Sequence, residues 1–135
     1  MRYKYLLDTD ICIYIAKNHP ENVRLRMAKC SPGELAMSVV THGELCYGAQ
    51  KSVRKAEAIA TLNRLTHAIA VLDLDENVAI AYGGIRAELE RKGCIIGSND
   101  LWIAAHALAK GLTLVTNNTR EHARVLGLVV ENWAS

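Results

Sequence analysis

The feature that most constrains the fold is the alternation of short apolar segments with longer segments of helical spacing. Val78, Tyr82, Ile85 and Leu89 recur every three or four residues, as on one face of an amphipathic helix. Alternation of strands with helices favours a parallel sheet covered by helices on both faces. We therefore predict an α/β fold with a central parallel sheet of four to five strands, drawn from the apolar segments 3–7, 35–40, 70–74, 112–116 and 128–130.

Length and composition predict a single domain over residues 1–135. Half of the residues are hydrophobic and only two are proline, and we find no repeat, linker or low-complexity tract. No apolar segment reaches the ~18 residues of a transmembrane helix, and the N-terminus has no signal-peptide pattern. The four cysteines form no CxxC pair and no zinc spacing with histidine. We expect a cytoplasmic protein that does not contact membranes, with reduced and mostly buried thiols.

Three carboxylates, Asp8, Glu44 and Asp100, each follow an apolar segment that ends in small, polar or glycine residues, and each opens a helical segment. In a parallel α/β protein such junctions lie along the carboxyl edge of the sheet, where ligands bind. Acids that meet there need a cation, and oxygen ligands suit Mg²⁺ or Mn²⁺. This set favours metal-assisted hydrolysis of a phosphodiester. The net charge of +2 leaves a mildly basic surface around these acids, which suits a polyanion.

Structural roles remain open for the same three acids. Asp8 is a favourable helix N-cap. Thr41 and Glu44 match the S/T-x-x-E capping box, which by itself explains a glutamate at that position. Asp100 is less needed as a cap, because two polar residues precede it.

Several other polar residues are candidates for supporting roles. Residues 116–118 end the fourth predicted strand and either form a turn or offer neutral oxygens to a hydrated metal or a phosphate. Asp10 and Glu121 are acids in a first helical turn, and each either complements the helix dipole or supports the metal-binding acids from outside the ligand set. A histidine just after the turn is close enough to touch substrate. The candidates are Thr116 as part of the catalytic set, with Asp10, Asn118, Glu121 and His122 around it.

The motifs that contain these residues resemble those of the PIN domain. They read LLDTD at residues 6–10, THGELCYGA at 41–49, IGSNDLWIAAHA at 96–107 and LVTNNTRE at 114–121. The chain is most similar to the VapC-type toxins of bacterial type II toxin–antitoxin pairs. The resemblance covers essentially the whole chain, in order and at family spacing.

The resemblance implies an endoribonuclease that depends on Mg²⁺, with Mn²⁺ as a substitute, and that usually forms a homodimer. Asp8, Glu44 and Asp100 match the three metal-site acids of the family. Thr116 matches the family's hydroxyl residue, and Glu121 matches a frequent outer acid. The substrate class is RNA, with transfer RNA among the options.

Three positions depart from the family pattern. Asn118 stands where many relatives have a fourth acid, which weakens the case for a permanently filled second metal site. Asp10 stands where asparagine or serine is common, and His122 where phenylalanine is common. The extra acid at Asp10 either strengthens metal binding or adds repulsion, and the sequence leaves both roles open.

The resemblance also implies a VapB-type antitoxin as the partner, with operator DNA bound only through the complex of the two. A basic side chain of the antitoxin is expected to enter the acidic crevice. An apolar antitoxin helix is expected beside Ile11, Ile15 and Leu25.

Two other functions remain as alternatives. The D-x-D pattern at Asp8 and Asp10 is also found in haloacid-dehalogenase-like phosphatases, although Cys12 stands where that class usually has threonine or valine. The second alternative is a protein that acts mainly by binding, within an antitoxin–operator DNA complex.

Overall fold

A computed structural model describes residues 2–135 and contains a five-stranded parallel sheet. The strands are β1 Tyr5–Leu7, β2 Leu35–Ser38, β3 Ala70–Leu72, β4 Thr113–Val115 and β5 Val130–Glu131. The helices are α1 Thr9–Lys17, α2 Glu21–Ala28, α3 Val39–Gln50, α4 Lys55–Ala68, α5 Glu76–Arg91, α6 Ser98–Lys110 and α7 Thr119–His122, with a 3₁₀ turn at Pro32–Glu34. The predicted α/β class and parallel sheet are confirmed. Within the described residues, no helix has the length and apolar character needed to cross a membrane.

The strand order is β3-β2-β1-β4-β5, so β1 lies at the centre of the sheet. The chain first builds the sheet outward from β1 to β3, and then returns to place β4 on the other side of β1. The boundary between β1 and β4 is therefore a topological switch point. In open parallel sheets a crevice forms at the carboxyl ends of the strands at such a point.

The two faces of the sheet are both covered by helices, because the central strand is apolar on both sides. Leu7 packs with Ile11 of α1 and Leu65 of α4 on one face. Leu6 packs with Ile103 of α6 on the opposite face. Alternate residues of one short strand thus anchor two helical layers, and this fixes where α1 and α6 begin relative to the carboxyl edge.

The start of α3 differs from the prediction. β2 ends at Ser38, and the Ser38 hydroxyl accepts a hydrogen bond from the Val40 backbone N–H at 3.1 Å, so the helix begins at Val39. Thr41 therefore lies inside the first turn and is fully buried. The predicted capping box of Thr41 and Glu44 is wrong, which removes the structural explanation for Glu44.

The start of α6 also differs from the prediction. Its N-cap is Gly97, which has no side chain to cap with, rather than Ser98 or Asn99. Asp100 is thus a residue of the first turn that does not cap the helix.

All four cysteines are free, as predicted, but only Cys12 is buried. Cys30, Cys46 and Cys94 are partly exposed, so the expectation of mostly buried thiols is wrong. Burial raises the pKa of the Cys12 thiol far above its usual range, which keeps that thiol protonated.

Candidate metal centre at the carboxyl edge of the sheet

Asp8 lies at the switch point because β1 and β4 pair in register. Leu7 and Val115 lie opposite each other, so the residues that follow them, Asp8 and Thr116, emerge side by side. The Thr116 hydroxyl donates to Asp8 Oδ2 at 2.8 Å, and the Thr9 backbone N–H donates to Asp8 Oδ1 at 2.8 Å. Asp8 is only 5% exposed. Its carboxylate is thus held by both oxygens in one orientation.

Asp8 is joined by one residue from α6 and one from α7. Ligand atoms of Asp8, Asp100 and His122 lie within 4.8 Å of one another. His122 is fully buried, and its Nε2 lies 3.5 Å from Asp8 Oδ2. Neither ring nitrogen of His122 makes a hydrogen bond of ordinary geometry within the described residues. Of the two roles predicted for His122, this position favours support of the acids over contact with substrate.

Glu44 lies next to the cluster of Asp8, Asp100 and His122 but is not part of it. Thr9 and Asn99 hold its side chain from two sides. Its Oε1 accepts a hydrogen bond from the Thr9 hydroxyl at 2.5 Å, and its Oε2 accepts from Asn99 Nδ2 at 3.2 Å. Thr9 follows Asp8 in the sequence, and Asn99 precedes Asp100. The three predicted acids therefore belong to one crevice. The two tethers Thr9 and Asn99 were not predicted, because nothing in their local sequence indicates a contact across so many residues.

Asp10 lies at the edge of the crevice and links two elements. Its Oδ2 accepts a hydrogen bond from the Asn117 backbone N–H at 3.0 Å, which ties α1 to the turn after β4. Its Oδ1 is buried and has no hydrogen-bond partner within the described residues. A buried carboxylate oxygen without a partner is costly, and it is available to a cation or to water.

Asn118 and Glu121 form a pair on the side of the crevice made by α7. Asn118 Nδ2 donates to Glu121 Oε2 at 2.6 Å, and the Asn118 backbone N–H donates to Thr116 Oγ1 at 3.0 Å. Asn118 thus supports the hydroxyl that holds Asp8. The charge of Glu121 is near enough to affect the ionisation of Asp100.

The site is electrostatically strained by its own negative charge. Burial opposes ionisation of Asp8, but the His122 ring, the Thr116 hydroxyl and the Thr9 amide together hold its pKa below the usual range. Burial, followed by the charge of Asp8, raises the pKa of Asp100. The same two causes raise the pKa of Asp10 to about 6. Charge is therefore concentrated on Asp8, and a cation would favour ionisation of its neighbours.

We expect Asp10→Asn to stabilise the metal-free protein above pH 6 and to have little effect near pH 4. The folded pKa of about 6 exceeds the ordinary value of 3.8, so ionised Asp10 destabilises the folded state at neutral pH. That penalty falls as the pH drops from 6 to 4, where Asp10 is protonated in the folded protein. Discounted for partial exposure, the gain at pH 7.5 is about 1–2 kcal/mol.

Urea unfolding in EDTA at pH 7.5 and pH 4 measures this effect of Asp10→Asn. Glu21→Gln is the matched control, because Glu21 is also an acid in a first helical turn but its side chain is exposed. An equal gain at both pH values would contradict the electrostatic explanation.

Comparison with known proteins identifies the family of this chain. The PIN domain family matches residues 5–127. The chain is 46% identical over 131 residues to the tRNA(fMet)-specific endonuclease VapC of Shigella flexneri, covering 97% of this chain and 98% of that protein.

Solved structures agree in fold along the whole chain. The DNA-bound VapBC structure from Salmonella typhimurium has a TM-score of 0.92 and 42% identity, and covers 97% of this chain and 98% of that one. VapBC2 from Rickettsia felis, bound to a promoter DNA fragment, has a TM-score of 0.90 and 38% identity, and the match covers 98% of this chain and 99% of that one. Because the family match, the sequence identity and the structural similarity all extend over nearly the whole chain, this chain belongs to the PIN domain family and, within it, to the VapC ribonucleases.

Proposed function

We propose that this protein is the toxin of a VapBC-type pair, an endoribonuclease that hydrolyses RNA phosphodiester bonds with a divalent metal ion. The observation that carries the proposal is the convergence of Asp8, Asp100 and His122 at the switch point of the sheet, with Glu44 tethered beside them. The family to which the chain belongs supports the reaction class. We extend the proposal to a homodimer in the cytoplasm.

The donor set fits a hard divalent cation. Carboxylate oxygens of Asp8, Asp100 and Glu44 would hold the ion, and oxygen ligands suit Mg²⁺. The same oxygen ligands suit Mn²⁺, and His122, whose Nε2 lies 3.5 Å from Asp8 Oδ2, is placed to support Asp8. We therefore propose Mg²⁺ as the ion and Mn²⁺ as its substitute. When bound, such an ion lowers the pKa of an attacking water and neutralises charge on the phosphate.

The remaining residues hold the acids in place. Thr116 donates to Asp8 from a fully buried position, so we assign Thr116 a positioning role rather than direct contact with RNA. Asn118 steadies Thr116, and Asp10 ties the turn after β4 to α1. Preorganised acids of this kind need no rearrangement when the phosphate arrives, which lowers the barrier to hydrolysis.

We propose tRNA(fMet) as the first substrate to test. The relatives from Shigella flexneri and Salmonella typhimurium carry this substrate in their names. Sequencing the 5′ ends of RNAs after brief induction of the protein locates the cleaved bond. Cleavage dominated by another RNA would change the substrate and leave the proposed ribonuclease activity in place.

We propose a VapB-type antitoxin as the inhibitor, with operator DNA bound only through their complex. A groove of about 550 Å³ runs between α1, α3 and α4 and begins at Thr9 and Glu44. Its walls are largely apolar and include Ile13, Leu45 and Leu62. An antitoxin segment with apolar residues and one basic residue fits this groove, because the groove leads from apolar surface into the acidic crevice.

The surface expected from sequence for the antitoxin needs revision. Ile11 is fully buried in the core, and Ile15 packs against the same cluster, so neither forms an open surface. Ile13, two residues along α1, is the exposed one and lines the groove. Leu25 is exposed as expected, but it lies on α2 and lines a different depression.

We expect RNA cleavage to require Mg²⁺ or Mn²⁺ and to stop in EDTA, because the clustered acids neither bind a phosphate nor activate water without a cation. Incubation of tRNA with purified protein, with EDTA and then with restored Mg²⁺, measures this requirement. The same preparation should leave a small phosphomonoester intact, which separates a nuclease from a phosphatase. Complete cleavage in EDTA by a preparation free of other nucleases would contradict the proposal.

A further inference from the structure

Tyr47 is an exposed aromatic side chain one helical turn beyond Glu44. It lies on α3 and is 66% exposed. Residues three apart share one face of a helix, and their α-carbons are separated by about 4.5 Å along the axis. The ring is thus carried on the same helix face as an acid of the metal centre. Packing in the core does not explain it, because most of its surface faces solvent.

The helix surface around this ring is open. Helical side chains lean toward the N-terminus, so the surface before Tyr47 is that of Gly43 and Glu44. A Cβ added at Gly43 or at Gly48 would meet nothing within 4 Å. The glycines on either side of Tyr47 therefore leave bare backbone beside the ring, with room for a flat group.

A cation lies over the ring. Lys51 Nζ is 5.0 Å from the centroid of the Tyr47 ring. Lys51 caps the C-terminus of α3, and Arg54 and Lys55 follow it on exposed positions. A positive segment thus begins about two helical turns beyond Glu44, on the side where Tyr47 is exposed. This arrangement of ring and cations complements a base and its phosphate.

We propose that Tyr47 stacks on an unpaired base of the RNA substrate, next to the bond that is cut, while Lys51 contacts the adjoining phosphate. The inference rests on the proposed ribonuclease function and adds how the substrate is recognised. A base stacks on a tyrosine ring only when its own face is free, so the preferred substrate is a single-stranded loop rather than a duplex. Tyr47 is then a binding residue that aligns the chain with the metal centre.

The test is the affinity of the full-length protein for a short single-stranded RNA oligonucleotide in EDTA, which prevents cleavage and leaves the contacts of Tyr47 and Lys51 to be measured. We expect Tyr47→Ala to weaken binding roughly 5- to 150-fold, the range for loss of one stacked base. Tyr47→Phe and Tyr47→Trp should remain within about twofold of the wild type, because both keep a stacking face. Lys51→Ala should lower the slope of the logarithm of the binding constant against the logarithm of salt concentration by about 1, as expected for the loss of one phosphate contact.

Val53→Ala is the matched control, because Val53 is fully exposed near the same basic segment and has no ring. It should leave the affinity unchanged, and duplex RNA should bind the wild type, the Tyr47 variants and Val53→Ala alike. With Mg²⁺ present, Tyr47→Ala should raise the KM for RNA cleavage more than it lowers kcat.

The outcomes separate this inference from the function on which it rests. Unchanged affinity in Tyr47→Ala, or an equal loss in Tyr47→Phe, would overturn the stacking role. Cleavage by Tyr47→Ala with an unchanged KM would also overturn the stacking role, but it would support the proposed ribonuclease function. Stacking-dependent binding without cleavage in Mg²⁺ would overturn the proposed function and leave the stacking role in place. Loss of antitoxin binding alone, with RNA affinity kept, would assign this surface to a protein partner and refute the inference.

Discussion

RNA cleavage should fall roughly a hundredfold or more when Asp8 is replaced by asparagine, while the fold is retained. Asparagine keeps the shape of the side chain and removes the charge that would hold the metal. Its oxygen still accepts from the Thr9 amide, and its amide group donates to the Thr116 hydroxyl, which is able to accept. The melting temperature should stay close to that of the wild type, because weaker repulsion on Asp10 and Asp100 offsets the loss of the interactions that His122 and Thr116 make with the Asp8 charge. Cleavage rate and melting temperature, measured on one preparation, separate the two effects.

Asp100→Asn and Glu44→Gln should lose activity in the same way. Glutamine retains the hydrogen bonds with Thr9 and Asn99, so a loss of activity in Glu44→Gln reports the missing charge. Because Ser38 caps α3, no loss of helix capping is expected from that substitution. Glu90→Gln is the control, since Glu90 is an acid on exposed surface of α5 that pairs with Arg86. Wild-type cleavage by Asp8→Asn would exclude the carboxylate site as the source of activity.

Production of the wild-type protein alone should arrest bacterial growth, and co-production of its antitoxin should restore it. The physical reason is that the groove between α1, α3 and α4, which the antitoxin is proposed to fill, is lined at one end by Thr9 and Glu44 beside the metal centre. Colony counts and growth curves after induction measure the effect. Ile13→Glu adds to the wall of that groove a charge that a bound antitoxin would bury, so it should weaken rescue by the antitoxin.

The control for growth arrest is Asp8→Asn, which should be harmless without any antitoxin. For Ile13→Glu, Ile80→Glu is the control, because Ile80 is an exposed isoleucine on α5, away from the groove. Unimpaired growth with abundant wild-type protein, in cells that lack the antitoxin, would contradict the toxin assignment. A ribonuclease without toxicity would remain compatible with that result.

The position of Asp8 could be predicted from sequence, because it follows directly on a strand whose apolar pattern fixes its place in the sheet. Asp100 follows a loop between α5 and α6 rather than a strand, and it reaches the site because Ile103 of α6 packs against Leu6 of β1.

The start of α3 could not be predicted, because both Ser38 and Thr41 are residues that favour the N-cap position. The end of β2, which is set by strand pairing, decides in favour of Ser38. Glu44 therefore had a plausible cap role in the sequence that it does not have in the structure.

The position of His122 could not be predicted either. Its contact with Asp8 spans more than a hundred residues and depends on how α7 folds back onto the end of β1. Thr116 was recognised as a candidate, yet its role as the donor that holds Asp8 follows only from the pairing of Leu7 with Val115. Residue type indicated the chemistry, whereas strand register determined which groups meet.

The central position of β1 has a consequence for protein synthesis. Asp8 leaves the ribosome well before its partner Thr116, which lies 108 residues later in the chain. A nascent or prematurely terminated chain lacks β4 and α7, and so has no complete metal centre. A cell that makes this enzyme is thus exposed to its activity only after β4 and α7 have been translated, which leaves time for an antitoxin made in parallel to fold and bind.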